Sequence, residues 1–266
     1  MKRQMSSITV FLSDWQVLFR EGIHFTLSGE EDVEVVGETT SSLEALEAIK
    51  AAPPRVAVLN ADHEDFAGIR AARYIRQNIP SVAVLLIVDS LNDEHLYQVM
   101  KSGARGCLTK ETDPVDLVDT IRVVAAGNQP IADLMLRPEM SARVVADFDQ
   151  FAAISQQVDN LLPGLTQGES EILRRIAQGN PAEQVCRALS IRQEDLSEHL
   201  QRILTKLVTN DHIRQVMAAA QEGRLANMFQ ARTSAKPAEQ YITRDEFVAF
   251  RDSIWERFRA AIDEIK

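Results

Sequence analysis

Cysteine is scarce in this chain of 266 residues. The two present, Cys107 and Cys186, stand far apart with no CxxC and no Cys/His spacing. That excludes a disulfide framework or a cysteine zinc site, and it fits buried thiols in a reducing cytoplasm. No apolar run approaches the roughly 18 residues a membrane-spanning helix needs. The opening residues MKRQMSSITVFL contain no hydrophobic stretch of signal-peptide length. A cytoplasmic protein away from the membrane is therefore expected. Also missing are a glycine-rich phosphate loop and any paired nucleophile and base, which argues against an enzyme and leaves no catalytic residue to name. Basic residues are nowhere in excess. Residues 1–163 hold fourteen Lys/Arg against twenty-four Asp/Glu, 164–224 hold eight of each and 225–266 seven of each. The whole net charge of −10 lies in the first part, so no region advertises a broad electrostatic footprint for nucleic acid.

What is present is organised around Arg55–Ile69, RVAVLNADHEDFAGI. An apolar run, Val56–Leu59, follows Pro53-Pro54 and leads into an acidic loop and then a helical pattern from Phe66. This reads as a buried parallel strand running into a loop and a helix. In an open α/β sheet, chemistry sits just beyond the carboxyl end of such a strand, and that position is Asn60.

The surrounding chain repeats the pattern. Strand candidates lie at Ile8–Leu12, Val33–Glu38, Val82–Val88 and Gly106–Lys110. Helix-spaced apolar residues occupy Trp15–Leu27, then Leu43, Leu46 and Ile49, then Ile69, Ala72, Ile75 and Ile79, then Asp93–Lys101 and Val115–Ala125. Five βα units in about 120 residues predict a flavodoxin-like doubly wound α/β fold, (βα)5. Gly127-Asn128-Gln129-Pro130 closes it, and one short helix is expected over Glu139–Phe151 before Leu161-Leu162-Pro163-Gly164. A capping box of Thr166 and Glu169 then opens a helix with Ile172, Leu173, Ile176 and Ala177 on its core stripe and Gly179 as its stop. A short helix at Ala182–Leu189, a turn at Ser190–Arg192 and a longer helix at Gln193–Leu207 follow. Leu196, Leu200, Ile203 and Leu207 point inward from the last of these. This is a helix-turn-helix arrangement in an all-α, tetrahelical domain.

Beyond Met217 a connector leads to ITRDEFVAFRDSIWERFRAAIDEIK. There Thr243 and Glu246 form a second capping box, and Phe247, Phe250, Ile254, Phe258, Ala261 and Ile265 make one stripe. An amphipathic helix is expected over 243–265. Such a helix is marginal alone, so it should pack on its own chain, on a second subunit or on a regulator. The expected division is the α/β domain at 7–128, a linker with a short helix at 129–163, the helix-turn-helix domain at 164–224 and the extension at 225–266.

Several of these segments resemble known ones. LFREG (Leu18–Gly22), VEVVGE, GARGCLTK (Gly103–Lys110) and VDTIRVVAAG (Val118–Gly127) are similar to NarL/FixJ-type response regulators. Residues 165–217 resemble the LuxR-type DNA-binding domain through Leu165-Thr166, Glu169, Glu171, Leu173, Ala177, Gly179, Leu189, Ile191, His199-Leu200, Arg202-Ile203 and Lys206-Leu207.

The first resemblance implies a phosphoryl pocket in which two acidic residues and an acceptor aspartate hold Mg²⁺, while a hydroxyl residue and a lysine bind the phosphoryl oxygens. In this sequence those positions carry Asp14, Trp15, Asn60, Val88 and Lys110, so only Asp14 and Lys110 fit. An amide has no anionic oxygen to attack phosphorus, and one carboxylate is a poor Mg²⁺ site. A pocket without cofactor or metal is expected, although Asp62, Glu64, Asp65 and Asp89 near its rim leave a rebuilt metal site conceivable. Trp15 either fills the vacated space or lies on the surface, and Lys110 is expected to pair with Asp14.

The second resemblance implies DNA binding. The family usually presents lysine where Ser197 stands and often a basic residue near Gln201. Here the outward set is Glu194, Asp195, Ser197, Glu198 and Gln201, while Arg187, Arg192, Arg202 and Lys206 remain for phosphates. Glu198 could accept from a cytosine amino group and Gln201 could read adenine. His199 reads as a packed helix residue. The resulting expectation is a phosphorylation-independent, dimeric transcription regulator on a two-fold DNA site. The alternative is a protein-interaction adaptor whose helix-turn-helix has lost DNA and contacts a partner protein; separately, a partner protein could meet the receiver or the C-terminal helix.

Overall fold

The computed structural model describes residues 7–62, 67–90, 92–155 and 162–221. The chain divides into two compact units, Met1–Arg214 and Gln215–Lys266. Of the second, only the last turns of one helix fall among the described residues, so the amphipathic helix expected at 243–265 lies outside them.

The first unit opens with five strands, β1 (Ile8–Ser13), β2 (Val33–Thr39), β3 (Val56–Asn60), β4 (Ala83–Val88) and β5 (Gly106–Thr109). They alternate with helices α1 (Val17–Ser28), α2 (Ser42–Ala51), α3 (Ala67–Asn78), α4 (Asp93–Lys101) and α5 (Pro114–Ala125). All strand pairs are parallel, in the order β2-β1-β3-β4-β5. Every residue of β3 and β4 is buried, as an apolar run covered on both faces requires. Alternation along β1 divides the core: Val10 and Leu12 pack with Ile23, Leu27 and Ile121 on the α1/α5 face, and Phe11 packs on the α2–α4 face. Local chemistry sets the helix starts. Asn92 accepts from the backbone N–H of Glu94 and His95, and Asp113 caps α5 with Pro114 in the first turn. Gly68 allows the start of α3 to approach β3, since a Cβ there would lie 1.8 Å from the Asn60 carbonyl oxygen.

A 3-10 helix (Pro130–Leu136) leads into α6 (Pro138–Ser155), longer than the short helix expected. Helices α7 (Gln167–Ala177), α8 (Ala182–Leu189) and α9 (Gln193–Gln221) follow. The helix-turn-helix is as expected. Its turn carries Ser190 in the left-handed conformation (φ 55°). The third helix differs in length: instead of stopping near Leu207 it continues to Gln221. No glycine or proline interrupts it before Gly223, so no stop signal stands at Leu207.

The α2–α4 side of the receiver core is continuous with the core of the helical domain through Met135, Met140, Phe148 and Phe151. A buried ion cluster closes the same junction. Lys101 of α4 (side chain 5% exposed) pairs with Asp211 of α9 (4%) at 2.8 Å and with Asp147 of α6 at 3.2 Å. Arg214 adds to it at 3.1 Å from Asp211, and Gln77 of α3 hydrogen-bonds His212 at 2.8 Å. Burial, with the Asp147 charge, pushes the Tyr97 phenol beside it well up. Both cysteines are free and half-buried, and burial pushes the Cys107 thiol up to about 12. No helix among the described residues is long and apolar enough to cross a membrane.

Candidate functional site

The sheet order reverses between β1 and β3, where a doubly wound sheet opens its crevice. Asp14 follows the end of β1 and Asn60 ends β3, both buried. Asn60 Nδ2 donates to Asp14 Oδ2 at 2.9 Å, and its Oδ1 accepts from the Asp62 N–H at 2.9 Å. Two carboxylates at this spacing would repel unless a cation sat between them. The amide presents an N–H to the carboxylate instead, so the pair is satisfied with no ion. Asp14 also accepts from the Gln16 N–H at 2.7 Å, and Arg20 holds the Asp14 carbonyl at 3.1 Å.

The rest of the pocket is similarly engaged by protein groups. Val88, at the hydroxyl position, is fully buried at the end of β4. Trp15 is 43% exposed and lies at the rim, with Lys110 Nζ 5.8 Å from its ring centroid and 5.7 Å from that of Phe19. Lys110 does not pair with Asp14, contrary to expectation: it is ion-paired with Asp89 after β4. The reason lies in donor supply, because Asn60, Gln16 and Arg20 already surround Asp14, while Asp89 offers an open carboxylate. Asp62 pairs with His95 of α4 at 2.9 Å and accepts from the Asp89 N–H. Asp62 and Asp89, weighed as metal ligands from sequence, thus both have protein partners. Glu64 and Asp65 lie outside the described residues, and among those described no group of three or more His, Cys, Asp or Glu could hold a metal ion. His95 was missed by sequence reasoning, since nothing local to it marks a partner on another loop.

The second candidate site is the outer face of α9. Ser197, Glu198, Gln201 and Arg202 lie on it at least partly exposed. Glu198, His199, Gln201, Arg202, Thr205 and Lys206 line one side of an open groove of about 650 Å³, with Gln129 of the receiver's end at its edge. The four cations expected to meet phosphates do not form one group. Lys206 turns inward to the buried capping carboxylate Glu169 at 2.7 Å and to the Gly164 carbonyl at 3.1 Å. Burial alone would raise the Glu169 carboxyl, but Lys206 and the Thr166 N–H outweigh it and hold the carboxyl low. Arg192 is exposed but clamped to Asp195 at 2.8 Å and Glu194 at 3.1 Å; the hydrogen bond with Asp195 raises the Arg192 guanidinium and lowers the Asp195 carboxyl. Arg187 and Arg202 are exposed and have no ion-pair partner among the described residues.

Both domains are similar to known proteins. The family model for the response regulator receiver domain matches residues 10–122, and that for bacterial regulatory proteins of the luxR family matches residues 163–219. The transcriptional regulatory protein YxjL of Bacillus subtilis is 27% identical over 217 residues, covering 81% of this chain and 96% of that protein. The response regulator protein VraR of Staphylococcus aureus is 27% identical over 215 residues, covering 81% and 97%. A two-component response regulator of the LuxR family from Aurantimonas is similar in structure at 27% identity and a TM-score of 0.44, over 47% of this chain and 89% of that one. The chain is thus similar to a response regulator receiver domain over residues 10–122 and to a luxR-family regulatory domain over residues 163–219.

Proposed function

We propose that this protein is a dimeric, DNA-binding transcription regulator whose receiver works without phosphorylation. The observation that carries the second half is the Asn60–Asp14 hydrogen bond, which places an amide where an acceptor carboxylate would be needed and removes the demand for a cation. The first half rests on the luxR-family domain, whose α8–turn–α9 unit leaves Ser197, Glu198, Gln201 and Arg202 accessible for base edges and backbone. Support for a dimer comes from α1, where Leu18 is 90% and Phe25 82% exposed on one face. Two such chains would address a two-fold site with half-sites about one helical turn apart.

A second reading, a protein-interaction adaptor, draws on one specific observation: Lys206 and Arg192 are both engaged by carboxylates of their own domain. One experiment separates the two. Duplexes are selected from a random pool at about 50 mM salt, where phosphate contacts are strong, and the winner is titrated with and without acetyl phosphate and Mg²⁺. The regulator enriches a palindrome, binds it equally in both buffers and shows no added mass. An acid-labile phosphoryl adduct or a shifted affinity refutes phosphorylation independence, and an unenriched pool favours the adaptor.

A further inference from the structure

At the end of the sheet opposite the Asn60 pocket, three arginines stand together. Arg55 precedes β3, Arg105 precedes β5 and Arg76 lies in the last turn of α3. Arg55 Nε donates to the carbonyl of Ala125 at 2.9 Å, and Arg105 donates to that of Val124 at 3.4 Å, so the carboxyl end of α5 gathers both. Arg76 packs so closely on Gly103 that a Cβ there would lie 2.7 Å from its Cγ. Burial, then the charges of Arg76 and Arg55, lowers the Arg105 guanidinium. Among the described residues none of the three has an ion-pair partner. In a chain of net charge −10, Arg105 thus sits beside two further guanidiniums with only the α5 carbonyls and no carboxylate against the group, an arrangement that an incoming polyanion would favour.

The position of the cluster selects the polyanion. Arg105 lies beside Gly127, whose Cβ position is 3.7 Å from an Arg105 terminal nitrogen, and the Arg105 carbonyl accepts from the Ile131 N–H at 3.0 Å. Gln129, between those two contacts, edges the groove lined by Glu198, Gln201 and Arg202 of α9. Gln77, next to Arg76, bonds His212 farther along α9. The segment after Arg105 therefore leads to the edge of that groove, and of the four cations expected to meet phosphates only Arg187 and Arg202 have no ion-pair partner among the described residues.

We infer that Arg55, Arg76 and Arg105 form a phosphate-binding site by which the receiver itself takes the DNA backbone beside the recognition groove. This rests on the DNA-binding reading above. Backbone contacts of this kind add affinity without sequence information, and they supply the cations that α9 lacks.

The salt dependence of binding measures it. With Arg187 and Arg202 alone, a dimer makes four phosphate contacts and the slope of log K against log salt is near −3.6; with the three receiver arginines it is ten contacts and near −9, at about −0.9 per phosphate. The full chain is titrated with its selected duplex between about 50 and 200 mM salt, beside Arg76→Gln, Arg76→Lys and Arg105→Gln, with melting curves to verify the fold. Arg76→Gln should make the slope shallower by about 1.8 per dimer and weaken specific and random duplexes by the same factor, and Arg76→Lys should restore it. A wild-type slope near −3.6, or one that Arg76→Gln and Arg105→Gln leave unchanged, overturns the inference while leaving DNA binding standing. If the wild-type chain binds no duplex, the DNA reading fails and this assignment with it. A melting shift with inorganic pyrophosphate that Arg76→Gln abolishes would then show a site for a free phosphate ligand instead.

Discussion

Asn60→Asp would place two carboxylates where one carboxylate and one amide now meet, 2.9 Å apart and buried. At an effective dielectric constant of 20, two unit charges at that distance repel by about 6 kcal/mol. Protonation limits the damage. An aspartate with an ordinary pKa of about 3.9 costs about 4 kcal/mol to keep protonated at pH 7, at about 1.4 kcal/mol per pH unit. The variant should take this cheaper route and lose about 4 kcal/mol at pH 7. The sign follows from linkage. The introduced carboxyl has a folded pKa raised above its unfolded value, so between the two the folded state holds the extra proton and stability falls as pH rises. At pH 5 the deficit against wild type should therefore shrink to about 1.5 kcal/mol. Urea unfolding of both proteins from pH 5 to 7 measures it. A variant as stable as wild type at pH 7, or a deficit independent of pH, would refute the view that the Asn60 amide is what closes this pocket. The variant should still take no phosphoryl group from acetyl phosphate, because Trp15 occupies the position of the second acidic residue.

Lys206→Ala should destabilise the helical domain by about 2 kcal/mol, the scale of a charged hydrogen bond to a buried group, while leaving the salt slope of DNA binding unchanged. Because the Glu169 carboxyl is held low, wild-type stability from this pair is present above about pH 4.3 and lost as pH falls through the lower folded value; urea midpoints of both proteins against pH verify it, and a shallower salt slope in the variant would return Lys206 to the phosphate set. Lys101→Met should cost about 3 kcal/mol, since it removes the buried cation shared by Asp211 and Asp147 and leaves Asp211 to the more exposed Arg214. Adding Asp211→Leu should recover most of that, and a double variant no more stable than the single one would place the strength of this junction in its apolar contacts.

Much of this protein was legible in the sequence because it is local. The alternation of apolar runs with helix-spaced residues defined five strands and five helices, since each follows from the period of its own segment. The Thr166–Glu169 capping box is likewise a matter of three residues. The position of Asn60 at a strand end, and the chemical poverty of an amide there, needed no coordinates. Contacts between distant segments were another matter. From sequence Lys110 is expected to pair with Asp14, and only the fold decides for Asp89. Lys206 reads as an outward cation by its helical neighbours, but the buried Glu169 on α7 draws it inward. The buried Lys101–Asp211 pair and the gathering of Arg55, Arg76 and Arg105 have no signature along the chain at all. Charge pairing depends on distance and burial, which chain folding sets between residues far apart in sequence, whereas periodicity needs only neighbours.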